Sequence, residues 1–89
     1  MVYMITYDLN EPGQKYEQVI ATIKKISSGA CCSFWKSSYL IKSSLLASEI
    51  VEKMKPHFDG NDRLIVIEVT SNKQGLLAKS EWKTINEMF

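Results

Sequence analysis

Apolar and polar positions along the chain predict a sequence of elements that can be followed from one end to the other. Val2-Tyr3-Met4-Ile5-Thr6-Tyr7-Asp8-Leu9 is a strongly apolar run that stops at a turn, Asn10-Glu11-Pro12-Gly13, and predicts a first strand. Tyr16, Val19, Ile20, Ile23 and Ile26 then recur at the spacing of one helix face, with Gln18, Thr22, Lys24 and Lys25 on the others. This helix of about four turns closes near Ser27-Ser28-Gly29, where Gly29 suits a left-handed terminal residue. Asn10 or Asp8 suits its cap and Pro12 its first turn.

Two short aromatic and β-branched runs, Ala30 to Trp35 and Tyr39 to Lys42, are joined by Lys36-Ser37-Ser38 and predict a β-hairpin. Ser43-Ser44 opens a second helix whose buried stripe reads Leu46, Ile50, Val51 and Met54, and Pro56 prevents a long continuation. After a turn at Asp59-Gly60-Asn61-Asp62, Arg63 to Thr70 is the strongest strand of the chain. Leu64, Ile65, Val66, Ile67 and Val69 put apolar side chains on both of its faces, which predicts cover on two sides. Helices can cover one; the tail or a second subunit must cover part of the other. A homodimer is therefore expected, with Val66, Glu68, Leu76 and Trp82 at its interface. Residues 71–75 read as a loop and Leu76-Leu77 as a fifth strand for a sheet edge. A last helix, capped by Ser80, carries Trp82, Ile85 and Phe89 on one side.

Strand, helix, strand, strand, helix, strand is the ferredoxin-like order βαββαβ, an α+β fold with two helices on one face of a four-stranded antiparallel sheet. The expected organisation is a single domain over residues 1–89, with a core at 1–70 and a C-terminal strand and helix extension at 71–89.

A chain of 89 residues is large enough for a two-layer core but not for a substrate domain beside a cofactor domain, so any site is a surface groove or a subunit interface. Eleven Lys and Arg against ten Asp and Glu give a formal charge of +1, which creates no global field toward nucleic acid or an anionic membrane. Polar Thr6, Asp8 and Asn10 interrupt the layout of a signal peptide, and no apolar run approaches membrane-spanning length, so a cytoplasmic location without membrane contact is expected. Cys31 and Cys32 are adjacent, a spacing that suits neither a mutual disulfide nor a zinc site, and predict two reduced structural thiols.

Asp8 is the leading candidate for chemistry. A carboxylate at the end of the first strand faces solvent and can hold Mg²⁺, which is usually bound by one or two carboxylates plus waters and phosphate. A cap or turn role for the same residue is the plainer alternative. Asp62 and Arg63 open the last strand beside the end of the first. Asp62 is then a candidate second metal ligand, and Arg63 a candidate salt-bridge partner that would cancel the charge of Asp8. Lys15 and Lys36 are the candidate nucleic-acid contacts near that end. Phe34, Trp35 and Tyr39 could stack bases, but the basic interleaving of a single-strand reader is missing, and core packing or a protein interface suits most of them better. His57 is the only histidine and receives no role.

The opening YMITYDLN, followed by a helix, an aromatic hairpin, another helix and the strand RLIVIEVT, resembles the short proteins labelled SinR-family over nearly the whole chain. Through them the chain is similar to the small nuclease-like adaptation proteins of CRISPR systems, whose first strand also ends in Tyr or Phe followed by Asp. The resemblance implies a ferredoxin-like homodimer in nucleic-acid or defence-related biology, with Asp8 from each subunit holding Mg²⁺ for phosphodiester hydrolysis. That family commonly carries a basic residue early in the first helix, for which Lys15 and Lys24 are the nearest candidates here. The rival expectation is a non-enzymatic interaction module, a regulator or phage-type inhibitor that meets a protein of a defence system.

Overall fold

Alternation along the first strand decides the architecture. In β1 (Val2–Asp8), Tyr3, Ile5 and Tyr7 are buried on one face, and Val2 is buried on the other. A strand buried on both faces belongs inside a sheet, and β1 pairs antiparallel with a neighbour on each side. The structure, a computed structural model, describes residues 1–10 and 14–89 and, of Gln14, only the backbone. The expectations for Pro12 and for the cap of the first helix lie outside the described residues.

After β1 come α1 (Gln14–Ile26), β2 (Cys31–Trp35), β3 (Ser38–Lys42), α2 (Ala47–Met54), a 3-10 turn at Lys55–His57, β4 (Arg63–Val69) and α3 (Lys79–Asn86). The four strands form one antiparallel sheet in the order β2-β3-β1-β4. With three helices this is an α+β fold consistent with a ferredoxin-like kind of fold, to which α3 is an addition.

Val19 and Ile23 of α1 and Ile50 and Met54 of α2 pack on the face of the sheet formed by Tyr3, Ile5, Tyr7 and Ile41. Each fully buried aliphatic side chain there contributes about 1.5–3 kcal/mol relative to exposure. The tail covers part of the opposite face: Ile85 and Met88 close on Val2 and Leu40, with Met4, Cys32, Phe34, Val69, Leu77 and Trp82 packed around them. The second cover that the sequence demanded is therefore supplied, over half the sheet, from within the chain.

Five local expectations are corrected. Gly29 does not adopt a left-handed conformation. Serines close α1 instead: the Ser27 hydroxyl donates to Ile23 O at 2.8 Å, and the Ser43 hydroxyl donates to Ile26 O at 2.9 Å. Leu46 is not in the buried stripe but stands exposed as the N-cap of α2, its backbone N–H donating to the Glu49 carboxylate at 2.8 Å. Leu76-Leu77 forms no strand. Ala78, not Ser80, caps α3, with its N–H held by Glu81 at 2.9 Å. The helix ends at Asn86, so the helical spacing that pointed Phe89 inward fails there; Met88 is buried and Phe89 is exposed.

The strand with the richest apolar content is also placed differently from the expectation. β4 lies at the sheet edge, not under cover on two faces. Leu64 and Val66 pack toward the helices, while Ile65 and Ile67 remain 51% and 50% exposed on the face that α3 does not reach.

Candidate functional site

The end of β1 that carries Asp8 gathers most of the residues singled out in the sequence. β1 and β4 run side by side in a register that sets Asp8 opposite Arg63, Tyr7 opposite Leu64 and Thr6 opposite Ile65. A hollow of ≈ 310 Å³ lined by Thr6, Tyr7, Asp8, Arg63, Leu64 and Ile65 opens there. The hairpin turn with Lys36 closes on the same end, because the Tyr7 N–H donates to Ser37 O at 3.1 Å. Thr6 and Ser38 join hydroxyls across the β1–β3 pair, and Tyr16 reaches Ser37 from α1 at 3.1 Å.

Asp8 is exposed, and no ion pair joins it to Arg63 although the two face each other in register. Asp62 has another role. Its Oδ1 accepts the Asn10 N–H at 2.7 Å, and its Oδ2 accepts the Asp59 N–H at 3.0 Å and the Lys15 ammonium at 2.5 Å. Lys15 also donates to Asp59 at 2.7 Å. The bond from Lys15, joined by the N–H groups of Asn10 and Asp59, holds the Asp62 carboxyl down to about 2. Its side chain is fully covered, so both oxygens are committed within the fold.

These positions decide what the site can do. Lys15, expected as a nucleic-acid contact, neutralises two carboxylates, and Asp62, expected as a metal ligand, clasps the start of α1 to the turn before β4. Among the described residues Asp8 stands opposite a guanidinium, that of Arg63, with its carboxylate exposed. Among the described residues, no group of three or more potential ligands converges. Three carboxylates at this end, Asp8, Asp59 and Asp62, stand against three cations, Lys15, Lys36 and Arg63, among the described residues.

The Tyr7 hydroxyl is buried with no hydrogen-bond partner among the described residues, and burial, with Tyr39 and Tyr16 nearby, pushes its phenol up to about 12. Tyr16 packs against it at 5.9 Å between ring centroids and Phe58 edge-on at 6.4 Å. Tyr39 packs on the same core, while Phe34 packs under the tail and meets Trp35 edge-to-face, so only Trp35 of the hairpin aromatics is widely exposed.

The expected interface residues separate. Val66 and Glu68 lie on the helix side of β4, in register with Ile5 and Tyr3; Val66 is half-buried against the core and Glu68 exposed. Trp82 forms a cavity wall beneath the tail, and Leu76 is fully exposed. Sequence reasoning missed Ile65 and Ile67, the residues of β4 that do face outward; two-residue alternation groups them with Val69 on one face but does not say which face stays open.

No family model matches the chain, and no curated protein and no solved structure matches it. Among the described residues no helix is long and apolar enough to cross a membrane.

Proposed function

We propose that the protein is a non-enzymatic interaction module that pairs with a second copy of itself along β4. The observation that carries this reading is the state of that strand: a seven-residue sheet edge with Ile65 and Ile67 half-exposed on its open face. Edges are normally guarded by charged side chains, proline or a bulge, and between Arg63 and Glu68 the stretch Leu64 to Ile67 carries none of these. Antiparallel pairing about a two-fold axis at Val66 sets Ile65 opposite the partner's Ile67, and Ile67 opposite the partner's Ile65. Four half-exposed isoleucines then become one apolar cluster, while the ladder satisfies the free edge. Sedimentation equilibrium tests this. The wild type should approach twice the 10.2 kDa chain mass, at tens of micromolar for an interface of ordinary size. Ile65→Lys with Ile67→Lys should remain at one chain mass with an unchanged circular dichroism spectrum. A wild type that stays at one chain mass throughout overturns the proposal.

The finer fold reading, a ferredoxin-like βαββαβ core at residues 1–70 with a helical extension at 71–89, is supported by the strand order and by the packing of α1 and α2 on a single face. A second reading follows the resemblance to CRISPR adaptation proteins: Mg²⁺-dependent phosphodiester cleavage in defence-related biology. The exposure of Asp8, which forms no ion pair among the described residues, favours it. The two readings are separable, because pairing along β4 sets the two Asp8 residues about 20 Å apart along the strands, too far to share one ion. A nuclease assay on single- and double-stranded DNA and RNA with Mg²⁺ or Mn²⁺ decides it. Cleavage lost in Asp8→Asn would establish the enzyme; no cleavage by the wild type, or equal cleavage by both, would remove it.

A further inference from the structure

The tail does not seal the sheet face that it covers. Between α3, the sheet and the segment 73–77 lies a cavity of ≈ 350 Å³, with Met4, Leu40 and Val69 from the strands and Leu77, Trp82 and Ile85 from the tail among its lining. Beside it is a second hollow of ≈ 220 Å³, lined by Lys73, Gln74, Trp82 and Asn86. The two share Lys73, Gln74 and Trp82 in their walls, so an apolar chamber and a polar annexe adjoin one another.

The chemistry of the annexe selects a charge. Its side chains offer an ammonium, two amides and an indole N–H, and no acidic residue lines either hollow. The Lys73 ammonium lies 4.1 Å from the centroid of the Phe89 ring, a cation–π contact that leaves its charge unneutralised. The chamber is of the size that small-ligand sites occupy, and its Met, Leu, Val, Ile and Trp walls hold water poorly.

We propose that this pair of adjoining hollows binds a small amphiphilic carboxylate. Its apolar body lies between Trp82 and the floor of Met4, Leu40 and Val69, and its carboxylate is received by Lys73, Gln74 and Asn86. The site is complete within one chain and does not depend on pairing along β4.

Glycine supplies the control. A Cβ at Gly75 would meet the Trp82 ring at 3.6 Å, an ordinary contact, and Gly75 is not left-handed, so Gly75→Leu fills the chamber without straining the backbone. The experiment titrates the full-length protein with two fluorescent probes, anionic 1-anilinonaphthalene-8-sulfonate and neutral N-phenyl-1-naphthylamine, following energy transfer from tryptophan. Saturable binding of the anionic probe at one per chain, displaced by decanoate far better than by decanol, is expected. Lys73→Ala should weaken the anionic probe by about tenfold, the loss of one charge-assisted contact, while leaving the neutral probe within about twofold. Gly75→Leu should abolish both. Absence of saturable binding by the wild type, equal weakening of both probes by Lys73→Ala, or unchanged binding in a folded Gly75→Leu variant overturns the proposal. So does binding that disappears with self-association in the Ile65→Lys, Ile67→Lys variant.

Discussion

Lys15, in the first turn of α1, donates its ammonium to Asp62, just ahead of β4, at 2.5 Å. The pair spans 47 residues of chain and, with the Asn10 N–H on the same carboxylate, fastens the exit of β1, the start of α1 and the entrance of β4 to one another. Two residues that looked like ligands in the sequence thus form a structural clasp.

That clasp should be visible in acid. The Asp62 carboxyl is lowered to about 2, mainly by Lys15, so its contribution to stability is complete above its unfolded value near 4 and is lost as pH falls from there through about 2. Lys15 is raised by its bonds to Asp59 and Asp62, so its contribution has the opposite sense: complete below its unfolded value, lost as pH rises through its folded one. Urea midpoints measured across acid pH should fall steeply in this window for the wild type. Asp62→Asn should be less stable at neutral pH and fall less steeply across the window, the remaining slope carried by Asp59, which Lys15 also lowers. Equal slopes would mean that other carboxylates carry the acid sensitivity.

Removing the buried, unpartnered hydroxyl of Tyr7 should help the fold. Tyr7→Phe keeps the ring against Tyr16 and Phe58 and deletes a polar atom buried without a hydrogen bond. An increase of about 1 kcal/mol in unfolding free energy is expected. A loss of that size would reveal a hydrogen-bond partner for the hydroxyl in solution.

Two isoleucines of the same sheet should differ sharply. Ile41 is fully buried in the centre of the helix-side core, and Ile41→Ala should cost about 2–5 kcal/mol through the cavity that it leaves. Ile67 is half-exposed on the edge strand, so Ile67→Ala should cost about 1 kcal/mol or less in a dilute, unpaired chain. Comparable losses at low concentration would show that β4 is covered even there.

Ser43 joins three elements with one side chain. Only 1% exposed, it donates its hydroxyl to Ile26 O at the end of α1, accepts the Leu45 N–H ahead of α2, and follows the last residue of β3. Ser43→Ala strips partners from a carbonyl and an N–H at once and should cost about 1–3 kcal/mol in thermal or urea unfolding. Ser44→Ala, at an exposed position, should cost far less.

The order of elements was legible because it rests on local periodicity: Tyr3, Ile5 and Tyr7 alternate on β1, and Val19 and Ile23 repeat on α1. What failed depends on contacts distant in sequence. An apolar strand buried on both faces and an apolar edge strand have the same composition, so nothing in RLIVIEV distinguishes a shielded strand from an open one. Asp62 has the sequence context of either a ligand or a clasp, and only the arrival of Lys15 from 47 positions earlier decides between them. Leu46 and Phe89 were misplaced for a simpler reason: one lies just before and the other just past a helix, and those helix ends depend on Glu49 capping the start of α2 and on α3 stopping at Asn86.

Consecutive residues of a strand point to opposite faces, so the adjacent thiols Cys31 and Cys32 belong to different layers. Cys31, in register with Ile41, packs toward α1 and α2. Cys32, in register with Leu40, lies under α3 with its sulfur 3.8 Å from that of Met88, and burial raises its thiol. Both are free and neither is widely exposed. The chain therefore carries two built-in clocks: the alkylation rate of Cys32 times the lifting of the tail, and that of Cys31 times the separation of the helices, so that the two sides of one sheet can be watched opening independently.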